Sequence, residues 1–319
     1  MKLTLAIVIL SMNVFAQGPY APVADSIGTT AIHKDSSALI DWASACIVER
    51  GWKNITDTTL GKTSTGDIYS ATEKSGINGV VSLGDGGSAI LTFSSPIING
   101  PGADFAVYEN AFNNTFLELA HVEVSSDGIN YFRFESFSLS QISSQIMNEV
   151  NASDIRNLAG KYRAQFGTPF DLEEMVGFTN LNVNNITHVK IIDAIGSINQ
   201  SYASYDSQGN MINDPFPTPF ETGGFDLDAI GVIHSFVGIE ESLNTFKVFP
   251  NPAKEKATLI FDNLSDKTIQ LIDLNGVIVF ELKSNSNQFD LDLFRYSKGV
   301  YILKLIEGGN INIQKLLIN

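Results

Sequence analysis

The 319-residue chain predicts an all-β protein: a jelly-roll-like β-sandwich with a small helical insertion, then a small Ig-like β-sandwich tail. Three observations lead there. Short apolar runs alternate with polar residues at a period of two. Turns rich in Gly, Asn and Asp separate them. The charge changes near residue 245. Residues 17–245 hold ten Lys or Arg against 27 Asp or Glu, a net of −17, whereas residues 246–319 hold nine against eight, a net of +1. Hydrophobic residues at 44% are enough for two cores, so disorder over the whole chain is excluded.

The chain opens with Lys2, an apolar run from Leu3 to Leu10, and Val14-Phe15-Ala16 before Gln17. That order of a positive residue, a short apolar run and a small-residue site predicts a signal peptide over residues 1–16, cleaved after Ala16. The run is too short to span a bilayer, so no transmembrane segment is expected in the mature chain. Residues 17–237 form the acidic sandwich, 238–245 a linker, and 246–319 the tail.

Within the acidic region, Ser36 to Ala45 has a helical period. Val80–Leu83 leads into the turn Gly84-Asp-Gly-Gly87. Strands are predicted over 89–93, 104–108, 119–124, 131–134, 187–193 and 227–233, with Asp127-Gly128 as a hairpin dipeptide. Ile155, Leu158, Ala159 and Tyr162 recur at helical spacing, predicting a helix from Asp154 to Phe166. In the tail, strands are predicted over 246–249, 257–261, 269–273, 277–282, 289–293, 299–306 and 311–318. Asn275-Gly276 turns one hairpin and Gly308-Gly309 another.

Composition also limits function. The net charge of −15 argues against a nucleic-acid partner, which selects basic surfaces. A single cysteine, Cys46, excludes an internal disulfide and a cysteine-rich zinc site; it reads as a buried small apolar residue. The histidines His121, His188 and His234 lie in or beside apolar strands and read as core or interface residues. There is no Gly-x-Ser-x-Gly elbow and no His-Glu-x-x-His helix.

What chemistry remains lies with carboxylates and aromatics. Asp104, Glu109, Asp226 and Asp228 bracket two strands, and residues two apart on a strand share a face. Oxygen ligands of this kind suit Ca²⁺, structural or bridging to a ligand; the alternative is a solvated acidic surface. Glu109 and Glu118 are the candidate pair should the chain hydrolyse a polysaccharide. The long segment from Tyr202 to Phe225 offers Tyr202, Tyr205, Asp206, Asn210, Phe216 and Phe220 as ligand contacts, since loops of that length in compact domains tend to carry function. The other reading is a loop that covers one end of the sandwich.

Two resemblances follow from motifs. Phe246-Lys-Val-Phe-Pro-Asn-Pro252, Ile272-Asp-Leu-Asn-Gly276, Ser297-Lys-Gly-Val-Tyr-Ile-Leu-Lys304 and Lys315-Leu-Leu-Ile318 occur in order. Together they resemble the type A C-terminal sorting domain of the Bacteroidota type IX secretion system. This implies engagement of the secretion machinery, removal of the tail, and release or attachment at the cell surface. Upstream, Val81-Ser-Leu-Gly-Asp-Gly-Gly-Ser88, Asp104-Phe-Ala-Val-Tyr-Glu-Asn110, Val122-Glu-Val-Ser-Ser-Asp-Gly128 and Gly223-Gly-Phe-Asp-Leu-Asp-Ala229 resemble a family of secreted bacterial surface proteins with a jelly-roll, discoidin-like sandwich. That resemblance implies the fold and a surface location; the aromatics and polar groups of the first region point to a non-catalytic binding or adhesion protein for an extracellular glycan or small-molecule nutrient. The alternatives are an extracellular polysaccharide hydrolase, or an accessory to an outer-membrane uptake receptor with cobalamin as a cargo.

Overall fold

The structure, a computed structural model, describes residues 18–236, 246–262, 264–308 and 310–319. The expected signal peptide and linker lie outside the described residues. The chain divides into two compact units, Met1–Phe236 and Val237–Asn319.

The first unit is built from β1 (Ile32–His33), β2 (Asp41–Glu49), β3 (Val81–Ser82), β4 (Ser88–Ile97), β5 (Phe105–Glu109) and β6 (Ala120–Ser125). Then come β7 (Phe132–Arg133), β8 (Phe137–Ser138), β9 (Ile155–Arg156), β10 (Phe166–Phe170), β11 (Ile186–Asp193) and β12 (Asp226–Val232). Strand order is β1-β10-β5-β12-β2-β4-β11-β6-β7, with β3 added beside β12 and every pairing antiparallel. β2 joins the halves: its start pairs with β12 through Asp41 and Trp42, and the rest pairs with β4. Between them lies one core that includes Phe105, Val107, Leu91, Val122, Val189, Ile191, Leu227 and Val232. The opposite face of β5 and β12 is also covered, with Ala106, Tyr108 and Ala229 packed against Ile32, Leu39 and Trp42. That double cover explains why every residue of β5 and of β12 is buried.

Both predicted helices are corrected. The segment from Ser36 to Ala45 leads into β2, whose register shifts between Ala43 and Ala45. That irregularity adds a residue, so buried Ala43 and Cys46 fall three apart and imitate a helical period. From Asp154 to Phe166, the apolar residues are buried as expected, but Asn157 (φ 52°) and Gly160 (φ 81°) adopt left-handed backbone conformations that interrupt any helix. Leu158 joins a satellite cluster and Ala159 the main core, so this stretch serves two packing sites. Three short 3-10 turns, Thr58–Leu60, Ala152–Asp154 and Leu172–Met175, supply the helical geometry of the described residues.

The second unit holds β13 (Phe246–Phe249), β14 (Lys256–Phe261), β15 (Lys267–Ile272), β16 (Ile278–Ser284), β17 (Gln288–Asp292), β18 (Gly299–Glu307) and β19 (Asn310–Ile318). They form two sheets, β13-β14-β17 and β16-β15-β18-β19, around Leu259, Phe261, Leu271, Leu303, Leu305 and Leu316. The Pro-Asn-Pro turn has a mechanical role. Asn251 Nδ2 donates to the Lys315 carbonyl (2.6 Å), and Asn251 Oδ1 accepts from the Leu317 amide (3.0 Å). The first turn of the tail thereby grips its last strand. Asp273 similarly closes the Asn-Gly turn by accepting from the amides of Asn275 and Val277 at 2.9 Å.

Phe105 is fully buried and stacks on Phe170 with centroids 5.3 Å apart. Phe105→Ala is expected to destabilise the first unit by about 3–5 kcal/mol. Urea unfolding followed by tryptophan fluorescence checks this, because both tryptophans, Trp42 and Trp52, lie in that unit.

Candidate functional site

Antiparallel pairing brings strand ends together, and here it gathers acids. Glu109 is the last residue of β5 and faces Leu227 at the start of β12. Asp226, the first residue of β12, faces Ser82. Glu118 lies two residues before the start of β6, and Asp193 ends β11 opposite Ala120 of β6. Glu109, Glu118 and Asp226 line one cavity of about 250 Å³ with Asn110, Thr218 and Thr222. Three phenylalanines complete it: Phe116, and the outward-facing Phe112 (88% exposed) and Phe220 (63% exposed).

Glu109 is 2% exposed, and its Oε2 has no hydrogen-bond partner. Burial pushes its carboxyl well above the usual range, and the neighbouring Asp226 pushes it further. Burial does the same to Glu118, reinforced by Glu109, Asp226, Asp214 and Asp193. Asp226 rises to about 6 through burial, against the opposing hydrogen bond from the Ser82 hydroxyl and the field of Arg50. A second tier lies behind. Asp214 accepts from the Leu119 amide (2.8 Å) and is raised well above its ordinary value by burial and then by Asp193. Asp193 accepts from Phe225 (2.8 Å) and Gly86 (3.0 Å) amides and is pushed up to about 7 by burial, with Asp85 adding to it. Asp85 accepts from the Ile55 amide (2.7 Å), and burial raises it to about 6. Close, desolvated carboxyls of this kind share protons or attract a cation.

Gly160 is the close-packing hinge of this arrangement. A Cβ there would stand 1.9 Å from the Glu118 carbonyl oxygen and 3.0 Å from the Phe225 ring. Only glycine lets the 157–160 turn press against the strand that delivers Glu118.

The four residues expected to hold calcium do not converge. Asp104 sits at the other end of β5, fully buried, accepting from the Gly100 and Leu172 amides (both 2.7 Å) and bonded to His234 Nδ1 (2.8 Å). The pairing of β12 with β5 shifts register between Leu227 and Ala229. Asp226 and Asp228 accordingly take different partners: Asp228 accepts from Ser75 Oγ (2.5 Å) and the Gly76 amide (3.0 Å), and only Asp226 reaches the cavity. Among the described residues, no group of three or more His, Cys, Asp or Glu side chains is placed to hold a metal ion.

The expected loop contacts also disperse. Phe220 lines the acidic cavity. Phe216 is buried. Asp206 closes a turn, accepting from the Gln208 (2.9 Å) and Asn210 (2.8 Å) amides, and ties it to the Ser138 amide (2.9 Å). Asn210 lines a separate crevice beside Leu139. Tyr202 is half-buried, and Tyr205 is exposed next to the bridge it forms with Met211. The sequence reading named Glu109, Glu118 and Asp226 but not Asp193, Phe112 or Phe116. An acid closing the apolar run Val189-Lys-Ile-Ile-Asp193, and two phenylalanines in the Asn-rich segment 112–116, were the available signals.

Known proteins add identity at the other end of the chain. Residues 247–319 match the family described as the secretion system C-terminal sorting domain. The tail is a type IX secretion C-terminal sorting domain. This sorting domain implies engagement of the secretion machinery and a secreted or cell-surface location. A stretch of 74 residues is 32% identical to ulvan lyase NLR42 of Nonlabens ulvanivorans, covering 23% of this chain and 14% of that protein. The chain thus spans about one seventh of that relative's length, and the match is about as long as the sorting domain itself. Among solved structures, PorZ of the Porphyromonas gingivalis type IX secretion system is 13% identical, over 29% of this chain and 14% of that one, with a TM-score of 0.23. The β-glucuronidase of Ruminococcus gnavus is 10% identical, over 88% of this chain and 43% of that one, also at 0.23. Scores this low carry no argument about the first unit. No helix among the described residues is long and apolar enough to cross a membrane.

Carboxyls with raised folded-state pKa values stabilise the fold while protonated. Their contribution is complete below about pH 4, the unfolded range, and is lost as pH climbs toward 7. His121, lowered to about 4 by burial, opposes this as a single group, adding stability between about pH 4 and 6.5. The melting temperature of the first unit, measured with chelator present, is expected to fall from pH 5 to pH 8. Glu118→Gln should melt above wild type at pH 8 and close to it at pH 5.

Proposed function

We propose that the first unit is a ligand-binding module of an exported protein, and that its ligand, a neutral extracellular glycan, enters the cavity of Glu109, Glu118 and Asp226. The observation that carries this reading is that Glu109, whose Oε2 is buried without a partner, lines a cavity rimmed by exposed phenylalanines. Carboxyls hydrogen-bond sugar hydroxyls, and aromatic faces pack against the apolar side of a sugar ring. Among the described residues, no basic side chain lines the cavity, so an anionic ligand is disfavoured there. Calcium enters the proposal as a bridging ion: Glu109 and Asp226 would supply part of its oxygen shell and ligand hydroxyls the remainder.

A hydrolase is the second reading, favoured by Glu109 and Glu118 opening onto one cavity. Paired carboxylates are the minimal apparatus for glycoside cleavage, and burial supplies the raised pKa that a general acid needs.

Screening the full chain against an extracellular glycan array, with and without millimolar Ca²⁺, tests both. For a binding module, Glu109→Gln weakens binding at least tenfold and no reducing ends appear. For a hydrolase, wild type releases reducing ends and Glu118→Gln abolishes release while retaining binding. Binding that is unchanged in Glu109→Gln would remove this cavity from the proposal.

A further inference from the structure

A second cavity, of about 480 Å³, shares no lining residue with the first. Its walls come from β1, β9, β10 and the turns around them, and include Tyr20, Arg156, Lys161, Thr168, Asp171 and Glu174. Its volume falls in the range of small-molecule sites.

Lys161 is its unusual member. It is 5% exposed. Its Nζ donates one hydrogen bond, to the Ile155 carbonyl (2.8 Å), and lies 5.4 Å from the centroid of the Tyr162 ring. No carboxylate among the described residues forms an ion pair with it. An ammonium has three donors, and burying one without a counter-ion is costly. Burial accordingly pulls the Lys161 amine down to about 8. Thr168 is 3% exposed, and its Oγ1 has no hydrogen-bond partner. Leaving a buried hydroxyl unpaired is unfavourable. Two polar groups of donor character therefore line one cavity with capacity to spare.

The acids around them are already engaged. Glu174 Oε1 accepts from Arg156 (3.1 Å) and its Oε2 from Asn157 Nδ2 (2.6 Å). Asp171 Oδ1 accepts from the Glu173 amide (2.9 Å). Arg156 also lies over the Phe137 ring, 5.5 Å from its centroid.

We propose that this cavity is a binding site for a carboxylate- or sulfate-bearing ligand, whose oxyanion accepts hydrogen bonds from Lys161 and Thr168, with Arg156 at the rim. An oxyanion supplies what the site lacks, a counter-charge and acceptors for unused donors. The site is independent of the carboxylate cavity and opposite to it in preference.

Calorimetric titration of the full chain at pH 7 with sodium galacturonate, galactose 6-sulfate and neutral galactose tests the proposal. Either anion should bind in preference to galactose, and which one binds more tightly separates a sugar acid from a sulfate ester as the source. Lys161→Met should weaken the anion at least tenfold, and Thr168→Val several-fold. Should either variant fail to fold, wild type alone still decides, because affinity should fall as pH rises from 7 to 9 and Lys161 loses its proton. The other charged groups at the cavity are Arg156, Asp171 and Glu174. Anion binding that is flat over that range, unchanged in Lys161→Met, or no stronger than that of galactose would overturn the assignment.

Discussion

The antiparallel pairing of β5 with β12 is the contact on which the first unit depends. These two strands are buried on both faces, by the main core on one side and by Trp42, Leu39 and Ile32 on the other. Their pairing sets Glu109 against Leu227 and puts Asp226 at the cavity. The register shift between Leu227 and Ala229 then separates the two aspartates of the Asp-Leu-Asp sequence, one going to the cavity and the other to the loop at Ser75 and Gly76. Asp104, at the far end of β5, holds together the Gly100 turn, the Leu172 turn and His234. One strand thus has a structural carboxyl at one end and, at the other, a carboxyl with one oxygen left without a partner.

The contrast between those two acids explains where chemistry sits. Both are desolvated, but Asp104 meets two amides and an imidazole, so its burial is offset in part, although burial still holds its carboxyl above the usual range. Glu109 Oε2 is buried without a hydrogen-bond partner, in a residue that lines the cavity. The second-tier acids Asp193 and Asp214 resemble Asp104 in accepting from backbone amides, yet they stand close enough to the cavity to raise Glu118. Charge is concentrated here at the expense of stability at neutral pH. Function tolerates such a conflict where a ligand or proton resolves it. Lys161 and Thr168 present the same conflict with the opposite sign in a different cavity.

The sorting domain is governed by simpler rules. Its sheets alternate buried and exposed residues, and its most recognisable motif works through Asn251, which bonds the backbone of β19 at Lys315 and Leu317. Motifs at the two ends of the domain belong together because one side chain joins them.

Sequence alone determined the all-β class, the charge break near residue 245, the strands of the tail, β4, β5, β6, β7, β11 and β12 of the first unit, and the sorting domain. Those features rest on local alternation, turn dipeptides and composition, which neighbouring residues carry by themselves. It also named Glu109, Glu118 and Asp226 as acids at strand ends. Tertiary structure decided the rest. It turned two helical periods into strands and turns, because irregular pairing in β2 and left-handed residues at 157 and 160 shift buried positions to a spacing of three or four. It separated Asp104 from Glu109, since a strand holds its two ends apart. It brought Glu118 and Phe220 to Glu109, and Lys161 and Thr168 to one cavity, because pairing across distant segments sets those meetings and no local pattern encodes them.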